Sequence, residues 1–517
     1  MTMLDAYRKT PGGGSTAAIL QGQRPQPVPQ VEDALAPLDA LDALLRREEA
    51  PSGAAPTTTF PAQTNSAPSS TASPAANEQG VFADEAAAVA AINAEYLVTR
   101  INGEAVIMRE GVDPDTGAPA IEPVSQPAFR LALANKHIYE PTPGGSIRRI
   151  NVAKVWLESP KRREFPGGLT LCPPGTPLPK GAYNLWRGWG VDPIPGDAEP
   201  MLEHVHTLCG GDTGLTTYSL NFLARCVQRP GDRAGVSLVY RGGQGTGKGS
   251  LFNAMLHCFG AHGLHLTHRD QLVGRFNGHM RRALFVFADE AVWAGDKDAE
   301  GKLRGLVTEA TVLLEQKGLD PVQVPNRIKL VIATNNEWAV PAGADERRFC
   351  VIDVSAEKAG DLEYFDRLHR WLREGGHGVW LHHLMHRDLS GFDVRRFPKT
   401  AALNDQKIAT MPPLDRWILN ALHTGTSLSS VGAWQDDEQL PCGVAGEAFK
   451  AYCDRASMRA SRVDGRAIGQ RLHAVFHCGA AVGGGKQGRH WRLPPLTRAR
   501  ELAAQRFGLH DFDWGHE

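Results

Sequence analysis

The run Arg241-Gly-Gly-Gln-Gly-Thr-Gly-Lys-Gly-Ser250 has the residue types and spacing of a phosphate cradle. Gly242 and Gly247 bracket Gly243, Gln244, Gly245 and Thr246, and Lys248 follows directly. Small residues let successive backbone N–H groups converge on phosphate oxygens, a helix N-terminus adds positive partial charge, and a lysine reaches the β- and γ-phosphates. The run lies between the apolar stretch VSLVY and the helical LFNAMLHCFG, the order strand, loop, helix that ATP binding needs. One position departs from the usual pattern. Gly249 stands where a Ser or Thr ordinarily ligates magnesium, and the hydroxyl arrives one residue later as Ser250.

Three further groups follow in the order of a nucleoside triphosphatase. The apolar run Leu284–Ala288 ends in Asp289 and Glu290, about forty residues beyond the loop. Carboxylates at a strand tip suit a Mg²⁺ organiser, Asp289, and a base that orients attacking water, Glu290. KLVIATNNEW ends a second apolar run in amides, and either Asn335 or Asn336 is placed to hold the γ-phosphate or the water. Asp345-Glu-Arg-Arg-Phe349 precedes a third run, and Arg348 or Arg347 would stabilise charge on a neighbour's γ-phosphate. A surface ion-pair cluster with Asp345 and Glu346 is the competing reading of those arginines.

These groups need a frame. VSLVY (236–240), ALFVFADE (283–290), KLVIATN (329–335) and FCVIDVS (349–355) alternate with helical stretches, as strands buried on both faces of a parallel sheet do. The fold class expected is therefore α/β, a P-loop NTPase core with a parallel central sheet over 236–355. TVLLEQKGLDPVQVP reads as a β-hairpin with Lys317 at its tip, a side chain suited to a nucleic-acid backbone.

Around the core, residues 1–80 read as a disordered tail: between Pro51 and Gly80 the only large apolar side chain is Phe60 and the only charge is Glu78. Within it, Leu35, Leu38, Leu41, Leu44 and Leu45 recur at helical spacing. A mixed N-terminal region (81–235) begins with an Ala-rich helix and a strand pair about Asn102-Gly103. There, the cluster Tyr183, Trp186 and Trp189 reads as local packing in preference to base stacking. A helical lid and linker fill 356–410. A small unit over 411–517, winged-helix-like, carries twelve Lys/Arg against seven Asp/Glu from Val444 onward and suits DNA-backbone contact, with a solvated helical face as the competing account.

Composition sets the outer limits. The 517 residues exceed one ordinary domain, and a net charge of −1 argues against a whole-molecule electrostatic nucleic-acid binder while leaving room for a basic face. No uninterrupted apolar run is long enough to span a bilayer, so no membrane partner is expected, and the N-terminal residues carry no secretory apolar segment. The cytoplasm is the expected location. None of the eight cysteines forms a C-x-x-C pair, which leaves no zinc ribbon or disulfide framework, and His473, His477 and Cys478 read as an ordinary helix face.

Together GGQGTGKG, FVFADEA, LLEQKG…IATNNEWAVP and RRFCVIDV resemble the superfamily 3 helicases, in particular the primase–helicases of phages and large DNA viruses. The resemblance implies an AAA+-like ATPase that assembles as a homo-oligomeric ring, a hexamer, and unwinds or translocates on single-stranded or forked DNA with ATP and Mg²⁺. By that likeness Arg348 acts in trans, Lys317 is the channel-hairpin lysine, and a primase/polymerase or another replisome protein is a partner. Polymerising activity needs clustered carboxylates on two metals. The one such pair in the N-terminal part is Asp113-Pro-Asp115, so the chain reads as the helicase part without the polymerase. Two other readings stay open: a nucleoside monophosphate kinase, which GTGKGS also suits, and a replication-initiation or assembly protein switched by ATP.

Overall fold

The computed structural model describes residues 76–517 except 115, 116, 118, 291–296, 318, 319, 437, 459–463, 484–487, 516 and 517. The tail to residue 75, with its leucine repeat, lies outside them, as do Asp115 and Gly318.

The N-terminal unit opens with the helix Glu85–Glu95, whose N-cap Asp84 accepts the Ala87 N–H at 2.7 Å. The strands Tyr96–Ile101 and Glu104–Val112 then pair antiparallel about Asn102-Gly103, and Asn102 takes a φ of 55° in that turn. Pro119–Val124 and Glu164–Phe165 complete a four-stranded sheet. Phe82, Val89, Phe129, Ile138 and Trp156 fill a small core of its own.

Five parallel strands build the second body: β1 (Ser237–Arg241), β2 (Gly263–Leu266), β3 (Phe285–Asp289), β4 (Lys329–Thr334) and β5 (Phe349–Asp353). Their order is β2-β3-β4-β1-β5. All five residues of β1 and all six of β4 are buried, because helices cover both faces and each inward or outward side chain needs an apolar neighbour. The α/β core with its parallel sheet is thus P-loop-like. Its apolar interior does not stop at Val236. The helices Glu199–Leu208 and Thr213–Gln228 contribute Met201, Val205, Phe222 and Leu223 to the same core, and Ala401–Thr410 adds Ala402 and Leu403.

The segment between the two bodies is packed, not displayed. Trp186 stacks on His262 with ring centres 4.6 Å apart and meets Trp189 edge-on, which in turn meets Phe259. Tyr183 is fully buried with its hydroxyl on Glu110.

Beyond the core, Pro413–Thr424, Cys442–Arg455, Gly465–Phe476 and Leu496–Phe507 surround a separate apolar cluster containing Trp417, Phe449, Leu472 and Trp491. Glu438–Pro441 and His490–Leu493 pair antiparallel beside these helices. His473 Nδ1 bonds the Cys478 carbonyl at 2.6 Å and His477 is the left-handed C-cap of its helix, so these residues finish a helix. Among the described residues no group of three metal-ligating side chains occurs, and no helix is long and apolar enough to cross a membrane.

Candidate nucleotide site

Parallel strands put all their C-terminal ends on one edge of the sheet, and the loop after β1 leaves that edge between β4 and β5. The loop starts from an anchored base. Arg241 bonds Asp353 at 2.5 and 2.7 Å and Asp405 at 2.8 Å, so the last residue of β1 is tied to β5 and to the helix Ala401–Thr410. Gly242 is required there, since a Cβ would fall 2.9 Å from Val354 Cβ. The helix α1 (Lys248–Phe259) begins at the other end of the loop, with Gly247 as N-cap at φ 95°. A left-handed backbone of this kind favours glycine.

Lys248 is buried and folds back over its own loop. Its Nζ donates to the carbonyls of Gly242 and Gly243, each at 2.7 Å, and to Asn335 Oδ1 at 3.2 Å. Burial lowers its pKa, and the carboxylates of Glu290 and Asp289 oppose that shift. Thr246, also buried, bonds the Gly243 carbonyl at 3.1 Å and helps set the loop.

The acidic strand tip faces this lysine across β4. Asp289 ends β3 with its side chain 40% exposed, its Oδ2 3.6 Å from His265 Nε2. Glu290 has a φ of 55°, a left-handed conformation that costs a non-glycine residue of order 1 kcal/mol or more. Its carboxylate accepts the Asn335 N–H at 2.7 Å and the Thr334 hydroxyl at 3.1 Å. Those bonds to the tip of β4 hold the strained residue in place.

One cavity of about 740 Å³ is lined by Gln244 through Ser250, Asp289, Glu290 and Asn335. Asn336 follows Asn335 but does not line it; its N–H bonds Thr334 Oγ1 at 3.0 Å. Ser250 Oγ pairs with His369 Nε2 at 2.9 Å.

Arg348 and Arg347 lie elsewhere. They precede β5, at the edge of the sheet opposite the phosphate loop, and five residues of strand span roughly 17 Å. Arg348 is 27% exposed and 3.8 Å from the buried Glu346, whose carboxylate also accepts the backbone N–H groups of Arg347 and Arg348 at 2.9 and 2.6 Å. Lys317 is exposed between the paired strands Thr311–Leu314 and Val322–Pro325. That hairpin leads into the start of β4, so it too leaves the sheet away from the cavity. Asn277 braces it, donating to the Leu313 carbonyl at 2.9 Å and accepting the Glu315 N–H at 2.8 Å.

Several cavity residues have no motif around them. Phe365 and His369 come from the helix Leu362–Trp371, Leu372 and Arg373 from the π-helical turn Leu372–Gly376, His377 from the start of the helix His377–His386, and His257 from α1. His204, from Glu199–Leu208, reaches the Gly247 carbonyl at 3.0 Å. Its sequence signal was a histidine among Met201, Leu202, Val205 and Leu208 on the buried face of a helix.

Residues 240–348, the stretch that holds the loop, the acidic tip and the amides, match a family described as being of unknown function, DUF5906. Over 139 residues the sequence is 28% identical to the DNA primase-polymerase of Nitratiruptor phage NrS-1, covering 26% of this chain and 19% of that protein. A phage primase-polymerase is what this part is similar to. The chain spans only about a fifth of that relative's length. Over a wider range, the apo structure of the NrS-1 C-terminal region shares the fold, with a TM-score of 0.53 at 16% identity, over 75% of this chain and 96% of that one. A second apo form of that region gives 0.53 at 15% identity, over 77% and 95%.

Proposed function

We propose that this chain is an ATP-dependent DNA helicase or translocase of phage-type replication, an AAA+-like motor that hydrolyses ATP between the subunits of a ring. One observation carries the reading: Lys248, Asp289, Glu290 and Asn335 come from three different loops and strand ends and meet at a single cavity. The phage relative and the shared fold of its C-terminal region supply the context of DNA replication.

In this reading the loop amides and the Lys248 ammonium hold the β- and γ-phosphates. Asn335 contacts the γ-phosphate, with Asn336 held off by its bond to Thr334. Glu290, its carboxylate fixed by two donors, keeps lone pairs free to orient a water. The donor set fits Mg²⁺: Asp289 offers a partly exposed carboxylate, and Mg²⁺ usually takes one or two such ligands with phosphate oxygens and waters. Neither Gly249 nor Ser250, which is occupied by His369, is needed as a ligand. When bound, the ion would neutralise charge building on the β- and γ-oxygens.

The far-edge position of Arg348 suits a role on a neighbour's triphosphate, with Arg347 beside it, and this is the basis for a ring, a hexamer by the superfamily 3 resemblance. Lys317 and the basic C-terminal unit, winged-helix-like in this reading, would contact single-stranded or forked DNA, and a primase/polymerase would act alongside. The test is ATP turnover with and without single-stranded DNA, together with particle mass in ATP. DNA-stimulated hydrolysis by a multi-subunit particle is expected. Phosphate transfer to a nucleoside monophosphate, without DNA stimulation, would overturn the reading.

A further inference from the structure

Gly247 lies between two aromatic side chains outside the motor motifs. A Cβ on it would fall 2.5 Å from His204 Cε1 and 2.8 Å from Phe365 Cε1. His204 belongs to a helix that precedes β1, and Phe365 to one that follows β5. The last glycine of the cradle is therefore gripped from both ends of the motor.

The hydrogen bonding fixes what the histidine does. A carbonyl oxygen only accepts, so the 3.0 Å contact to Gly247 requires the proton on His204 Nε2. Nδ1 is then the acceptor, and the Tyr364 hydroxyl donates to it at 2.9 Å. Burial lowers the His204 pKa to about 4, which keeps the ring neutral and in this one tautomer near neutral pH. The Gly247 carbonyl also accepts the Ser250 N–H at 3.0 Å and the Leu251 N–H at a long 3.5 Å, so His204 shares this oxygen with the first turn of α1 and adds a third donor to it. In a trans peptide the C=O and the following N–H point in opposite directions. Whatever holds the Gly247 oxygen thereby aims the Lys248 N–H.

We propose that His204 is a positioning residue of the phosphate loop: its Nε2–H secures the Gly247 carbonyl, so that the Lys248 amide stays directed into the cavity, and Tyr364 locks the required tautomer. The proposal rests on the nucleotide-binding reading above and adds a part of the site outside its motifs.

The experiment measures ADP affinity by calorimetry and steady-state ATP turnover on the full chain, for wild type, His204→Phe, His204→Gln and Tyr364→Phe, each checked by thermal melting without nucleotide. Phe keeps the ring and loses the donor. ADP affinity should fall and the KM for ATP should rise by roughly tenfold, with kcat changed much less. Gln carries an amide N–H near the former Nε2 and should recover affinity to within about threefold of wild type, while Tyr364→Phe should cost about two- to threefold. Wild-type affinity in His204→Phe would overturn the proposal, as would His204→Gln binding as poorly as His204→Phe. Should His204→Phe not fold, unchanged affinity in Tyr364→Phe overturns it. A folded wild type that binds neither ADP nor ATP is a separate result and removes the nucleotide reading itself.

Discussion

The Lys248 ammonium donates to the Asn335 side-chain carbonyl at 3.2 Å, joining the loop after β1 to the tip of the neighbouring strand β4. The same tip holds Glu290 through the Asn335 N–H. Cation, amide and acid are thus linked in one short chain of hydrogen bonds, and a change at any of them is felt by the other two.

Lys248→Ala removes the ammonium from that chain. ATP turnover should fall by at least about a hundredfold, the scale of losing one preorganised donor to a developing charge. Circular dichroism and melting should still report a folded chain. Turnover near wild type would remove the phosphate-loop assignment.

Glu290→Gln and Arg348→Ala should each be inactive alone, with losses of ~10³-fold or more for the arginine. Mixed together, some interfaces would pair an intact Glu290 with an intact Arg348. A partial return of hydrolysis, read as a function of mixing ratio, is expected. Strict additivity of two dead proteins would argue against Arg348 acting on a neighbour's nucleotide.

Lys317→Ala should leave basal hydrolysis within about twofold while sharply reducing stimulation by single-stranded DNA. Loss of one phosphate contact should also lower the salt slope of single-stranded DNA binding by roughly 0.7. Titrations of DNA at several salt concentrations measure both. Equal loss of basal and stimulated rates would argue against a nucleic-acid contact.

Lys329 gives a pH signature of stability unconnected with turnover. It begins β4 fully buried, donating to the carbonyls of Pro230 and Arg327, and burial lowers its pKa to about 7. The unfolded lysine titrates near 10.4, so between these values the unfolded chain binds one more proton and stability rises with pH. The gain is bounded by about 1.4 kcal/mol per pH unit. Denaturant melts from pH 7 to 9 should show a steeper rise for wild type than for Lys329→Met. Parallel slopes would mean that Lys329 keeps its proton when folded.

The parallel-sheet core could be read from the chain where local pattern and tertiary requirement coincide. β1, β3, β4 and β5 are continuous apolar runs because helices bury both faces, and the glycines of 242–247 mark a loop that no ordinary turn needs. β2 escaped notice: Gly263–Leu266 is a four-residue edge strand with the exposed His265 in it, too short for either period to register. Asn335 and Asn336 could not be separated by reading, because which one meets the cavity depends on how β4 ends beside β1 and β3. Only in the fold do His204, some forty residues before the loop, and Phe365, well over a hundred after it, come to one glycine. The helices Glu199–Leu208 and Thr213–Gln228 likewise look like part of a preceding region until their apolar faces are seen to fill the same core as the sheet.

Because Arg348 and Lys248 leave opposite edges of one sheet, no flexing of a side chain can bring them together within a single molecule. Specific activity should therefore depend on dilution: below the concentration at which copies associate, each molecule would hold its nucleotide and turn it over slowly. Assembly would then act as the throttle, with idle copies consuming little fuel until they meet.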